Sequence, residues 1–231
     1  MTSTDLAGTP AAAPLRQTGR LIAWCAVVGG LAALAYANRL SGAETPDDVL
    51  YLWSTFAGAL VQYTIMLVLI LVIAHGFDRR LLAFETPERR LRAVGLAVVA
   101  LIVILIATGI LSQFLDAGDE QGLVPNGWDS SRALPFLANA AVVSLVAPFV
   151  EELLYRGLGF GLLRQFVDPW PAILITGLAF GLAHGLVLGL PVLSIFGITL
   201  GWLRCKTGSV YPGMCVHALF NAAALAAAVL T

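Results

Sequence analysis

Apolar runs separated by short polar stretches divide this chain almost from end to end. Seven runs reach or approach the ~20 residues that a helix needs to cross the hydrocarbon core of a bilayer: Leu21 to Asn38, Leu52 to Phe77, Ala93 to Leu115, Ala133 to Leu163, Pro171 to Leu188, Pro191 to Leu203 and Tyr211 to Thr231. The sixth run is short and the fourth long. Pro135 and Pro148 are placed to break the fourth, and Gly189 with Pro191 joins the fifth to the sixth without a polar loop. The pattern predicts an all-α, polytopic transmembrane helical bundle of about seven spans. Three regions follow: a disordered cytoplasmic tail over 1–19, rich in Ala, Pro and Thr; N-terminal transmembrane helices over 20–132; and a core over 133–231.

Composition agrees with the pattern, since 59% of the 231 residues are apolar and only 12% charged, against about 25% charged in a soluble domain. With a net charge of −1 and Lys206 as the sole lysine, no basic face suggests nucleic acid. Cys25, Cys205 and Cys215 are odd in number and lie in or beside apolar runs, which reads as packing and not as a disulfide framework. No repeat at fixed spacing appears.

Basic residues orient the spans. Arg16, Arg20, Arg79, Arg80, Arg89, Arg90, Arg92, Arg164, Arg204 and Lys206 share one side, whereas the other has Arg39 and Arg132 among Glu44, Asp47, Asp48, Asp116, Asp119, Glu120 and Asp129. The positive-inside rule puts the N-terminus in the cytoplasm and, after seven crossings, the C-terminus outside. Trp53, Trp128, Trp170 and Trp202 fall near span ends, as interfacial aromatics do. The first span, with Ala35-Tyr36-Ala37 near its end, resembles a signal peptide but is longer than a typical apolar region of one.

Within the fourth span stand Glu151, Glu152 and Arg156. Each such charge costs roughly 2.5–3.5 kcal/mol at the membrane centre on insertion scales, so they must be paired, hydrated or used. Glu152 and Arg156, four apart, face each other on a helix as a structural ion pair, while Glu151 is turned about 100° away. His184 in the fifth span and His217 with Asn221 in the seventh add polar faces. Counted from the ends of their spans, Glu151, His184 and Asn221 lie about 20 Å deep and His217 about 14 Å, so the four groups can share one layer. Single polar residues often serve as interhelical glue, and His75, at the end of the second span, is read so. A carboxylate pair, two histidines and an amide at one depth exceed what glue requires.

Desolvation makes a buried glutamate a stronger base, able to activate water. Glu151 fits that task, His184 could orient the same water, and His217 with Asn221 could donate to an oxyanion. Neither Ser144 nor Cys215 is clearly placed as a nucleophile. Alternatively, Glu151, His184 and His217 would make a His2Glu zinc site with an open position for water.

Glu151-Glu152-Leu-Leu-Tyr-Arg156-Gly157, Phe180-Gly-Leu-Ala-His184 and His217-Ala-Leu-Phe-Asn221 resemble the EExxxR, FxxxH and HxxxN motifs of the CPBP family. That family contains the type II CAAX prenyl endopeptidases and the bacteriocin-processing and immunity (Abi) proteins. Lys206-Thr-Gly-Ser-Val-Tyr-Pro-Gly resembles its lead-in to the last motif, and Tyr155 stands where phenylalanine is frequent. The resemblance implies an intramembrane endopeptidase with Glu151, His184, His217 and Asn221 catalytic, acting on a peptide or protein at the membrane. It leaves open a metal-free, glutamate-dependent reaction, with no cofactor required, or a zinc-dependent metalloprotease. A chain this compact is expected in a bacterial cell membrane, where prenylated CAAX proteins are improbable natural substrates. Two other classes compete: a non-catalytic scaffold or immunity protein of the same fold, and a proton-linked transporter. The transporter would favour internal symmetry, which the chain lacks.

Overall fold

The computed structural model describes residues 12–42, 48–76, 80–115, 120 and 127–230. Among them are seven helices and no strand: α1 (Ala12–Leu40), α2 (Trp53–Ala74), α3 (Arg90–Leu111), α4 (Ser130–Leu163), α5 (Pro169–Leu182), α6 (Leu190–Thr207) and α7 (Tyr211–Leu230). The chain is thus an all-α bundle. α1 begins at Ala12, inside the stretch expected to be a tail. Alanines favour a helix there, and Pro14 in the first turn needs no partner for a backbone N–H. The rest of the expected tail, 1–11, lies outside the described residues, as do Glu44, Asp47, Asp116 and Asp119.

Five helices, α1 to α4 and α7, are long and apolar enough to cross a membrane. Of the seven expected spans, α5 and α6 are not among these five. α5 has 14 residues, about 21 Å against the ~30 Å hydrocarbon core. α6 has 18 residues and ends in Arg204 and Lys206. The two form a close pair because glycines let their backbones touch: a Cβ on Gly197 would lie 2.6 Å from the Gly177 carbonyl oxygen, and one on Gly181 would lie 2.6 Å from Ser194 Oγ. Packing through small residues is how helices associate where no hydrophobic force drives them together.

Polarity is arranged inside out. Val61, Ile65, Val68 and Val72 of α2 and Val94, Val98, Ile102 and Ile106 of α3 are exposed, while Glu152 and Arg156 are fully buried. With its long apolar helices, this makes the chain an integral membrane protein. Cys25 and Cys215 belong to the outward face and only Cys205 is partly buried; all three are free. Internal packing therefore does not describe Cys25 and Cys215, since an exposed thiol has no cost against lipid.

The prolines expected to break α4 do not. Pro135 falls in the first turn after Arg132, and ahead of Pro148 the helix widens into a π-turn over Val142–Val146, where the Ala147 N–H reaches the Val142 carbonyl. A second π-turn spans Leu153–Gly159. Such turns displace backbone carbonyls from their α-helical donors, and other helices supply replacements. Trp24 Nε1 of α1 donates to the Leu154 carbonyl at 3.0 Å, and Asn221 Nδ2 of α7 donates to that of Val143 at 2.9 Å.

Both ends of the bundle are tied. At one, Arg39 meets Glu120 at 2.7 Å, and Arg132 meets Asp48 at 2.9 Å and Asp129 at 2.6 Å. Hydrogen bonds from Ser131 and Arg132 hold Asp129 down at about 2. Burial raises Glu120, but the N–H groups of Gly189 and Val187, with Arg39, outweigh it and leave its pKa lowered. At the other end the Val210 N–H donates to the Ala83 carbonyl at 3.0 Å, and Arg20 donates to the His75 carbonyl. His75 itself is exposed at the C-cap of α2.

Candidate active site

Glu151 and Glu152 sit between the two π-turns of α4, both buried. Glu152 Oε1 receives Arg156 Nη1 at 2.7 Å, the ion pair expected from the four-residue spacing, with both side chains fully buried. Arg156 is held further by the Gly197 carbonyl, 2.8 Å from Nη2, and its guanidinium lies 4.7 Å from the Phe180 ring centre.

The same Glu152 Oε1 lies 3.2 Å from His217 Nδ1. Glu152 is therefore not only the partner of Arg156. A carboxylate accepts, so His217 carries its proton on Nδ1 and turns Nε2 toward Glu151, whose Oε2 is 3.8 Å away. Glu151 Oε1 accepts from the Tyr63 hydroxyl at 3.0 Å. An unbroken line of side chains thus runs Tyr63, Glu151, His217, Glu152, Arg156 across α2, α4 and α7. Room for it depends on Gly213, where a Cβ would lie 2.8 Å from Glu152 Oε2.

Asn221 is one turn beyond His217, as expected, but one N–H of its amide is committed to the Val143 carbonyl. His184 is placed differently from expectation. α5 ends at Leu182, and His184 lies in the following turn, with Nδ1 donating to the Phe180 carbonyl at 2.8 Å. The Phe180 ring lies 4.7 Å from that of His184 and 5.7 Å from that of His217, between the two imidazoles. No hydrogen bond or ion pair joins His184 to Glu151 among the described residues.

The proposed zinc ligands Glu151, His184 and His217 do not converge: no three His, Cys, Asp or Glu side chains gather closely enough to hold a metal ion among the described residues. Ser144 is buried within the first π-turn and Cys215 is exposed on the outer face of α7.

Two residues escaped the sequence reading. Tyr63 stands mid-span in α2, and its only sequence signal is the short polar interruption Gln62-Tyr63-Thr64. Asn139 is buried, its amide nitrogen 3.0 Å from the carbonyls of Leu50, Leu52 and Pro135, tying α4 to the start of α2.

Residues 133–223 match the model of the family described as Type II CAAX prenyl endopeptidase Rce1-like. The match supports the resemblance read from the three motifs, that of a membrane protease family; it spans most of α4, all of α5 and α6 and most of α7, with all seven motif residues. Tyr63 and Trp24 lie outside it. No curated protein and no solved structure matches the chain.

Proposed function

We propose that this Rce1-like protein is an intramembrane endopeptidase that hydrolyses a peptide bond of a membrane-associated protein or peptide, with Glu151 activating water. The observation that carries the reading is the buried line from Tyr63 to Arg156. Glu151 Oε2 and His217 Nε2, 3.8 Å apart, are too far for a direct hydrogen bond and close enough for one water to touch both. Glu151 takes a proton from that water as its oxygen adds to the carbonyl carbon. The proton then passes to the amide nitrogen as the C–N bond breaks, which returns Glu151 to its carboxylate.

The tautomer set by Glu152 refines the oxyanion role. Neutral His217 has no proton on Nε2, so in this tautomer it holds the attacking water as an acceptor beside Glu151 and does not itself donate to an oxyanion. Asn221 supplies its second N–H, and His184, proton on Nδ1, turns Nε2 outward as an acceptor for substrate or water. The reaction in this form requires no cofactor. The cell membrane of a bacterium is the proposed setting, with the N-terminus cytoplasmic. Five crossings and seven are both odd, so the C-terminus is external on either count.

The test is Glu151→Gln, which keeps volume and a hydrogen-bonding head. Membrane peptides from cells carrying each form are compared, and cleavage is then repeated with purified protein on the peptides that differ. Cleavage is expected to fall about 10²- to 10⁴-fold with thermal stability retained. A stable Glu151→Gln protein that cleaves as well as the parent would overturn the reading in favour of a scaffold.

A further inference from the structure

Two cavities away from Glu151 adjoin one another at the end of the bundle that carries the arginine-rich loop. One is a polar recess of about 480 Å³ that includes Arg89, Arg92 and Lys206 with Glu85 and Glu88. The other is an apolar groove of about 370 Å³ running between α3 and α7 past Ala97, Leu101, Cys215 and Leu219, with Arg90 among its lining residues. Pro87 and Ala93 line both.

The charges in the recess do not cancel. Three cations, Arg89, Arg92 and Lys206, stand against Glu85 and Glu88, and Glu85 also faces Arg80 at 3.9 Å. Arg89, Arg90, Arg92 and Lys206 are exposed, and none forms an ion pair among the described residues. The groove is the reverse, almost wholly apolar and open toward the face of the bundle that meets lipid. Cationic recess and apolar groove follow one another from the start of α3 and α7 inward along both helices, in the order of a phospholipid's phosphate and acyl chain. Basic pockets between helices at a membrane surface bind anionic headgroups, and the adjoining apolar groove favours a lipid over a free phosphate or a peptide.

We propose that one anionic phospholipid binds here, its phosphate held by Arg89, Arg92 and Lys206 and one acyl chain lying between α3 and α7. The chain would touch α7 through Cys215 and Leu219, on the side turned away from His217. This site does not depend on the catalytic reading.

The test is native mass spectrometry of the full chain in detergent with equal amounts of phosphatidylglycerol and phosphatidylcholine. One phosphatidylglycerol per chain is expected to be retained at least tenfold more strongly than phosphatidylcholine. Removing the cations in Arg89→Gln/Arg92→Gln/Lys206→Gln should weaken it about a hundredfold, at about fivefold per charge. Ala97→Phe, which fills the groove and leaves the recess intact, should also release it, and glycerophosphoglycerol, the headgroup without chains, should not displace it. Equal retention of the two lipids, undiminished binding by either variant, or displacement by the headgroup alone overturns the proposal. Should the triple variant not fold, Arg92→Gln alone, at about fivefold, provides the same comparison.

Discussion

Removing the charge of Glu152 tests the centre of the buried line. Glu152 and Arg156 are 2.7 Å apart with both side chains fully buried, so Glu152→Gln leaves a guanidinium in the protein interior without its counter-charge. Breaking such a pair costs about 3–5 kcal/mol, whereas replacing both members with neutral groups of similar volume is often close to neutral. Glu152→Gln and Arg156→Met are each expected to lose that amount, and the double variant far less than the sum. For 231 residues, at about 2–4 °C per kcal/mol, each single variant should melt roughly 6–20 °C lower, and the double variant should recover most of the loss. Thermal unfolding in mild detergent reads this, and additive losses would refute the pairing. Activity separates the second role of Glu152. The double variant should stay impaired despite its stability, because the Nδ1 side of His217 no longer faces a negative charge. Full recovery of cleavage would show that Glu152 serves only Arg156.

Tyr63→Phe removes the 3.0 Å hydrogen bond to Glu151; bonds to charged groups contribute about 1.5–3 kcal/mol of stability, so the melting temperature should fall by roughly 3–12 °C and kcat should fall with KM nearly unchanged, and a change in KM alone would contradict a positioning role. Because Glu151, His184 and His217 do not gather as ligands, cleavage should persist after prolonged chelation and purified protein should hold less than stoichiometric zinc; one zinc per chain lost together with activity would sink the metal-free account. A reporter fused after Arg92 should read as cytoplasmic, and an external reading would reverse the orientation.

Hydropathy is a local property, so the membrane class, the helical bundle and most helix positions were legible in the sequence. So was the Glu152–Arg156 pair, because residues four apart on one helix meet regardless of what surrounds them. The three motifs also picked out Glu151, Glu152 and Arg156 on α4, His184 just after α5, and His217 and Asn221 on α7. Contacts between helices were not legible. The Tyr63 bond to Glu151 spans 88 residues and that of His217 to Glu152 spans 65; they depend on the rotation and depth of one helix against another, which no spacing within a helix encodes. The same holds for His184, whose turn separates it from Glu151, and for Asn221, half committed to a carbonyl that a π-turn displaced. Spacing and hydropathy determined which groups are inside the membrane, and helix packing alone decided which of them touch, because side-chain contacts across a bundle are set by the neighbouring helix and not by the chain that carries them.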